Sequence, residues 1–308
     1  MTRRESLTWA TERLRMAGVP EPEADAWVLF SECFGMNRAT YFLKRDEETT
    51  EDPEAERFEE WVKHREKRIP LQQITGHQEF MGLNFQVNEH VLIPRQDTEV
   101  LVETVFSDMR DGLSRREHCW VPGTEWSREY DNADGSKLLR VLDMCAGSGC
   151  IGISIERLAP IGVSVLGADI SDEALKVAKA NGLRLGCAHY DAVKSDLFEQ
   201  IDGKYEVIVS NPPYIPTEVI GTLETEVKDH EPMLALDGEA DGLAFYRRII
   251  EAAPEYLVEN GRIYVEIGYD QGESVSDLFR QSGFGEIRVI RDLAGLDRVV
   301  TAVWPCRQ

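Results

Sequence analysis

The sequence predicts an α/β protein: a parallel sheet covered by helices, preceded by a small helical domain. Three observations carry this. From Leu138 onward, apolar strand-like runs alternate with helical ones. From Ser6 to about Ile69, apolar residues instead recur at helical spacing. At the start of the α/β segment, one apolar run opens directly into a glycine-rich turn, the junction at which open α/β sheets bind ligands.

In the front segment Leu7, Ala10 and Leu14 share a face, as do Ala24, Trp27, Val28 and Phe30, and then Phe58, Trp61 and Val62. The last of these helices ends in the basic run His64-Arg65-Glu66-Lys67-Arg68, expected to be a solvated face. Pro70 stops the helix, and Phe80, Leu83, Phe85 and Val87 then follow a two-residue period around Met81-Gly82, as in a hairpin. Beyond Pro94 a helix carries Val100, Leu101, Val105 and Phe106. The pattern dissolves over 112–136, where Pro122, Gly123 and Gly135 among charges, with Trp120 and Trp126, suggest a surface insertion. Strands are predicted at 138–144, 163–168, 206–210 and 262–267. Runs at 287–290 and 299–303 are separated by a short polar link and should form an antiparallel hairpin at one edge. The resulting division is 1–73, a helical domain; 74–95, a hairpin connector; and 96–308, the α/β domain.

Composition narrows the function. With 308 residues and 42% hydrophobic content, a large core and a smaller one are both affordable in length. Lys plus Arg number 34 against 56 Asp plus Glu, a net charge of −22 that repels a phosphate backbone, so direct nucleic-acid binding is disfavoured. No run reaches the roughly 18 uncharged apolar residues of a membrane span, and the chain is expected in the cytoplasm. The six cysteines are scattered without C-x-x-C or His spacing, which predicts reduced thiols and no metal.

The glycine-rich turn is Asp143-Met144-Cys145-Ala146-Gly147-Ser148-Gly149, and Asp169 ends the next strand. Glycines there allow a nucleotide-like cofactor to approach the backbone. Gly147-x-Gly149-x-x-Gly152 with Asp169 also satisfies a dinucleotide fingerprint. Asp143 argues against that, because a carboxylate beside the turn repels a pyrophosphate and attracts the ammonium group of S-adenosylmethionine.

Asn211-Pro212-Pro213-Tyr214 follows a predicted strand, which sets it at the carboxyl edge of the sheet. Each proline fixes its own φ and biases its predecessor away from helix, so the turn is rigid. A planar amino group offers two N–H donors, which the Asn211 side-chain oxygen and the Pro212 carbonyl can accept, with Tyr214 packed flat on the substrate. The same geometry serves a glutamine amide or an adenine exocyclic amine.

With these residues in hand, the sequence resembles the HemK/PrmC family of protein-(glutamine N5) methyltransferases. The resemblance extends to Pro70-Leu71-Gln72-Gln73-Ile74-Thr75-Gly76, Glu79-Phe80-Met81-Gly82-Leu83, Ile93-Pro94-Arg95-Gln96-Asp97-Thr98-Glu99, Glu231-Pro232-x-x-Ala235-Leu236 and Asp241-Gly242-Leu243. It implies a seven-stranded Rossmann-like class I methyltransferase sheet with a helical N-terminal domain that helps hold the substrate. S-adenosylmethionine is the implied cofactor and S-adenosylhomocysteine the product. The implied substrate is the glutamine of the Gly-Gly-Gln motif in class-1 peptide chain release factors. Carried over by position, Cys145, Ala146, Gly147, Ser148 and Gly149 would line the methionine part of the cofactor, with Asp143 and Asn211 beside it. Asp169 would hold the ribose, and Asp196 and Leu197 the adenine. Asn211, Pro212, Pro213 and Tyr214 would hold the glutamine, and Pro94 to Glu99 would close the site. Leu197 stands where some members carry an aromatic residue.

Two other readings use the same residues. N6-adenine DNA methylation shares the tetrapeptide but calls for a basic groove, and none is visible in the sequence. A silent binding module would keep the fold without the reaction, yet Asp143, Gly147, Gly149, Asp169 and Asn211 all stand in place. The expected protein is a monomeric enzyme.

Overall fold

The computed structural model describes residues 1–49, 53–115 and 138–306. The chain forms two compact units, Met1–His77 with Leu223–His230, and Gln78–Thr222 with Glu231–Gln308. The expected connector, 74–95, is not a unit of its own but is divided at His77/Gln78, and eight residues that follow the tetrapeptide in sequence, Leu223–His230, belong with the helical front unit.

The first unit contains α1 (Arg3–Met16), α2 (Pro22–Phe34), α3 (Arg38–Lys44), α4 (Glu54–Glu66) and α5 (Leu71–Thr75). Helix α1 starts at a capping box, in which the Thr2 side chain accepts from Glu5 N–H and the Glu5 side chain accepts from Thr2 N–H. The core consists of Ala10, Leu14, Ala26, Leu29, Phe30, Phe58 and Val62. On α2 the buried stripe is Ala26, Leu29, Phe30 and Cys33, whereas Ala24 is exposed. The buried set follows i, i+3, i+4, i+7 spacing, turned from the face predicted from Ala24 and Trp27.

The basic run of α4 is not a solvated face. Arg65 is buried, with Nε donating to Asp25 at 2.7 Å and a terminal nitrogen donating to Glu226 at 2.8 Å. Arg68 donates to both oxygens of Glu226, each at 2.6 Å. Burial works against ionisation of Glu226, but the hydrogen bonds from Arg68 and Arg65 outweigh it and hold the carboxyl down at about 2. The basic residues therefore secure the Leu223–His230 segment within this unit.

The second unit opens within the hairpin β1 (His77–Phe80) and β2 (Leu83–Gln86), of which His77 alone falls in the first unit, with Gly82 at φ 72 in its turn, followed by α6 (Glu99–Arg115). Helix α6 continues past the predicted start of the insertion at 112, and residues 116–136 of that expected excursion, including both tryptophans, lie outside the described residues. The main elements that follow are β3 (Leu139–Met144), α7 (Cys150–Leu158), β4 (Val163–Asp169), α8 (Asp172–Arg184), β5 (Tyr190–Lys194) and β6 (Tyr205–Ser210). After several single-turn helices come α9 (Ala244–Tyr256), β7 (Leu257–Glu266), α10 (Gly272–Gln281), β8 (Gly285–Arg291) and β9 (Asp297–Val303).

These form one seven-stranded sheet in the order β5-β4-β3-β6-β7-β9-β8. Strands β5 to β7 pair in parallel, and β9 runs antiparallel between β7 and β8, so the terminal strands make the predicted edge hairpin. Alternation along each strand feeds two cores. Val141 and Val207 pack with Leu101, Val105, Ile151 and Ile153 on one face, while Leu142 and Ile208 pack with Tyr246, Ile249, Ile263 and Phe279 on the other. The chain order reverses at β3 and β6, whose register aligns Met144 with Ser210. The glycine turn and the tetrapeptide thus leave the sheet side by side at its carboxyl edge, where such sheets place their ligands.

Candidate active site

The turn after β3 is tight because three of its residues adopt left-handed backbone: Cys145 at φ 61, Gly147 at φ 54 and Gly149 at φ 79. Its supports come from three sides. Ala146 N–H donates to the Ala168 carbonyl at 3.0 Å. The Asp169 carboxylate accepts from Gly147 N–H at 2.8 Å through one oxygen and from Ser171 N–H at 2.9 Å through the other. Fully buried Asn181, on α8, donates to the Ser148 carbonyl at 3.0 Å. Below the turn, Tyr190 fills space that a side chain at Gly149, Gly167 or Gly182 would need. Burial raises the Asp169 carboxyl even though its backbone donors favour the charged form.

The turn borders a cavity of about 200 Å³. Cys145, Ala146, Gly147, Ser148, Asp169, Asp196, Leu197, Asn211 and Pro213 all line it. Ser195 and Leu197 shape its far end: Ser195 N–H donates to the Asp169 carbonyl at 3.0 Å, and Leu197 takes φ 50. Pro94, Arg95 and Thr98 contribute a wall, as the 94–99 block implied. Ala235, from the Glu231-Pro232-x-x-Ala235-Leu236 motif, also lines it, as do Leu234, Phe245 and Arg248, which no motif or periodicity singled out.

Four predicted site residues do not line the cavity: Asp143, Gly149, Pro212 and Tyr214. Asp143 is fully buried beneath the turn, where it accepts from Gly152 N–H at 2.9 Å and so anchors the start of α7. Its other oxygen has no partner among the described residues. Burial, with a smaller push from Asp169 and against the Gly152 hydrogen bond, moves this carboxyl up to about 7. The predicted direct attraction to an ammonium group is therefore corrected to a supporting place behind the turn. Tyr214 is corrected likewise. Rather than lying flat over a substrate, it turns its hydroxyl toward Glu266, 3.5 Å away. Its carbonyl accepts from Gln271 Nε2 at 3.0 Å, and Gly238 and Gly242 crowd its backbone so closely that neither has room for a Cβ. This accounts physically for the glycine of the Asp241-Gly242-Leu243 motif.

The segment with Glu231 and Pro232 closes the wall. Glu231 is buried and accepts from Arg95 at 2.6 Å and from Ile93 N–H at 3.2 Å. Burial raises its carboxyl, and the Arg95 charge opposes the rise. Cys145, partly buried, and Cys150, buried, both line the cavity as free thiols. Burial raises both, Cys150 to about 12, so neither is a thiolate at neutral pH. Among the described residues no group of His, Cys, Asp and Glu is arranged to hold a metal ion.

Two family models match the chain, the PrmC N-terminal domain over residues 5–76 and the Methyltransferase small domain over residues 132–228. The release factor glutamine methyltransferase of Agrobacterium fabrum is 38% identical over 296 residues, covering 96% of this chain and 95% of that protein. The chain belongs to the release factor glutamine methyltransferase family. The enzyme of the same name from Geobacter sulfurreducens is 38% identical, with 97% and 95% covered, and that of Moorella thermoacetica is 38% identical, with 98% of each chain covered. Membership makes the chain an S-adenosylmethionine-dependent methyltransferase, as the glycine turn and tetrapeptide together predicted.

Solved structures agree on the fold. A methyltransferase from Pyrococcus furiosus superposes with a TM-score of 0.50 at 14% identity, covering 74% of this chain and 91% of that one. The hMettl16 catalytic domain, in complex with a MAT2A 3'UTR hairpin, superposes with a TM-score of 0.53 at 16% identity, covering 83% of each. At these identities both speak for the Rossmann-like sheet alone.

The lining is compatible with the cofactor: the ideal Cβ position of Gly147 meets nothing within 4 Å, so the backbone there is open to a ligand, and Asp169 and Asp196 put carboxylate acceptors, able to take hydroxyl and amine donors, on the lining of the same cavity.

Proposed function

We propose that the protein transfers a methyl group from S-adenosylmethionine to the side-chain amide nitrogen (N5) of the glutamine in the Gly-Gly-Gln motif of class-1 peptide chain release factors. The observation that carries this reading is the placement of Asn211 on the wall of the same cavity as the glycine turn and Asp169. Gly147, Ser148 and Asp169 would hold the cofactor's methionine and ribose parts, with Asp196 and Leu197 at the adenine end. When bound, the cofactor supplies an electrophilic sulfonium methyl.

An amide nitrogen is a weak nucleophile because its lone pair is delocalised, so the protein's contribution is orientation and charge stabilisation. The Asn211 side-chain oxygen, on the cavity wall, would accept one amide N–H, and the Pro212 carbonyl, which does not line the cavity without a substrate, would accept the other, together fixing the nitrogen in line with the methyl. Such positioning contributes roughly 7 to 11 kcal/mol in well-oriented systems. The same acceptors favour the positive charge that develops on nitrogen. Transfer would form the N–C bond as the S–C bond breaks, release S-adenosylhomocysteine, and pass the proton displaced from nitrogen to solvent.

This reading includes a monomeric enzyme that acts on release factors in the cytoplasm without gripping nucleic acid. Its support is the chain's net charge of −22 and the fact that no described helix is long and apolar enough to cross a membrane. The test offers a release factor and DNA separately with labelled donor. Label on the Gly-Gly-Gln glutamine, lost in Asn211→Ala with cofactor affinity retained, is the expected result. Label in DNA alone would overturn the reading.

A further inference from the structure

We infer that Arg248 is a specificity-determining residue for the base of the cofactor. By holding one oxygen of Asp196 it fixes that carboxylate as an acceptor for an exocyclic amine, and so makes the cavity reject a base that carries a carbonyl in the amine's place. The inference rests on the proposed position of Asp196 at the adenine end and names what makes that residue selective.

The backbone that carries Asp196 is fixed from several sides. Ser195 N–H donates to the Asp169 carbonyl at 3.0 Å, which ties this loop to the end of β4. The buried Ser195 hydroxyl donates to the Leu197 carbonyl at 2.5 Å and accepts from Gln200 N–H at 3.0 Å, and Glu199 N–H donates to the Asp196 carbonyl at 3.2 Å. The Asp196 side chain has a single restraint of this kind among the described residues: Oδ1 accepts from a terminal nitrogen of Arg248 at 2.7 Å. Without Arg248 the carboxylate is free to change rotamer.

Arg248 comes from a rigid element. On α9 the residues Tyr246, Ile249, Ile250 and Ala253 are buried at i, i+3, i+4 and i+7 spacing, and the Tyr246 hydroxyl donates to the Glu266 carbonyl at 2.7 Å. Phe245 and Arg248, three residues apart on the same helix, line the cavity together with Asp196 and Leu197. The adjacent Arg247 instead pairs with Asp241, at 3.1 Å, and neither of those two is part of the lining. The two neighbouring arginines thus have separate partners, and one of them serves the cavity.

Arg248 and Asp196 are both partly exposed, so their pairing adds little to folding. Its consequence is directional. An ionised carboxylate only accepts hydrogen bonds, and the exocyclic amine of adenine donates them. Hypoxanthine carries a carbonyl oxygen in place of that amine and an N–H on the ring nitrogen beside it. A carboxylate free to swing can leave the carbonyl and accept from the ring N–H. One held through Oδ1 cannot, and its second oxygen then meets the carbonyl as acceptor against acceptor. Holding Asp196 therefore does little for adenine and much against hypoxanthine.

The experiment measures by calorimetry the dissociation constants of S-adenosylhomocysteine and S-inosylhomocysteine, which differ in the base alone, for the unaltered protein, Arg248→Met and Asp196→Asn. Methionine keeps an apolar stem and removes the donors. The unaltered protein is expected to prefer the adenine compound by on the order of 100-fold. In Arg248→Met the preference should fall below about tenfold, with the adenine compound bound within about threefold of its original affinity and the inosine compound bound more tightly than by the unaltered protein. General damage to the cavity would weaken both and cannot produce that tightening. Tm should stay within about 3 °C. An undiminished preference in Arg248→Met, or equal weakening of both compounds, would overturn the inference. Asp196→Asn, whose amide can turn either its oxygen or its –NH₂ toward the base, should show almost no preference, and a preference retained there would remove Asp196 from the base and the inference with it. Neither titration contains a release factor, so absence of methyl transfer to the Gly-Gly-Gln glutamine would be a separate result that bears on the proposed function instead.

Discussion

Gly242 lies against the carbonyl oxygen of Tyr214 so closely that a Cβ added at residue 242 would overlap it. Gly242 also sits at φ 71, where side chains are strained by roughly 1–2 kcal/mol. Gly242→Ala is therefore expected to push the tetrapeptide out of register with the cavity. Displacements of about 1 Å cost on the order of 100-fold in rate. The check is kcat/KM for release factor beside cofactor affinity: a large loss in the first and a small one in the second. Unaltered kcat/KM would show that the Tyr214 backbone has room the structure denies it.

Asp169 has one carboxylate oxygen on Gly147 N–H and the other on Ser171 N–H. Removing it frees the glycine turn as well as deleting a ligand acceptor. Asp169→Ala should weaken S-adenosylmethionine binding by at least about tenfold, and Asp169→Asn, which keeps one acceptor, by less. Calorimetry measures both, and an unchanged dissociation constant in the Ala variant would refute the assignment.

Burial raises the Asp143 carboxyl from 3.8 to about 7, so in this window the folded protein holds a proton that the unfolded chain has released. Stability from this group accordingly falls as pH rises from about 4 to about 7, and stays low above. Asp143→Asn lacks that fall. Relative to the unaltered protein, its Tm should improve by on the order of 5 °C between pH 4 and pH 8. A constant difference across that range, measured by calorimetric melting, would contradict it.

Glu226 shows the opposite sign. Its carboxyl is held at about 2 in the folded protein against an ordinary 4.5, so its contribution is complete above about 4.5 and is lost as pH falls toward 2. Glu226→Gln should lower Tm by on the order of 5 °C at pH 7, because it leaves the Arg65 and Arg68 charges short of a partner, and the gap should close in acid. Melting curves at pH 7 and pH 3 test this, and a gap that persists unchanged at pH 3 would count against the ion pair.

Much of the architecture was legible because it is periodic. Strands β3, β4, β6 and β7 and the terminal hairpin carry continuous or alternating apolar runs, and α1 and α6 carry helical ones. Strand β5 has only Ala192 fully buried, so its run of five gives no pattern to read. The glycine turn, Asp169 and Asn211 were legible because their residue types are demanded locally by backbone shape and strand ends. What escaped depends on the other side of a contact. Nothing near Arg65 announces Glu226, which is far along the chain. Asp143 reads as a ligand group until the buried Gly152 N–H is seen beneath it.

The tyrosine under the glycine turn has a consequence for how such sequences change over time. Tyr190 takes the space that side chains at Gly149, Gly167 and Gly182 would fill, so these positions are not independent. A lineage cannot acquire alanine at residue 167 or 182 while the ring remains, whereas loss of the ring opens both. Residue 149 stays glycine in either case, because φ 79 restricts it even with space restored. Substitution here has an order: the aromatic ring must go before two of its three glycines can.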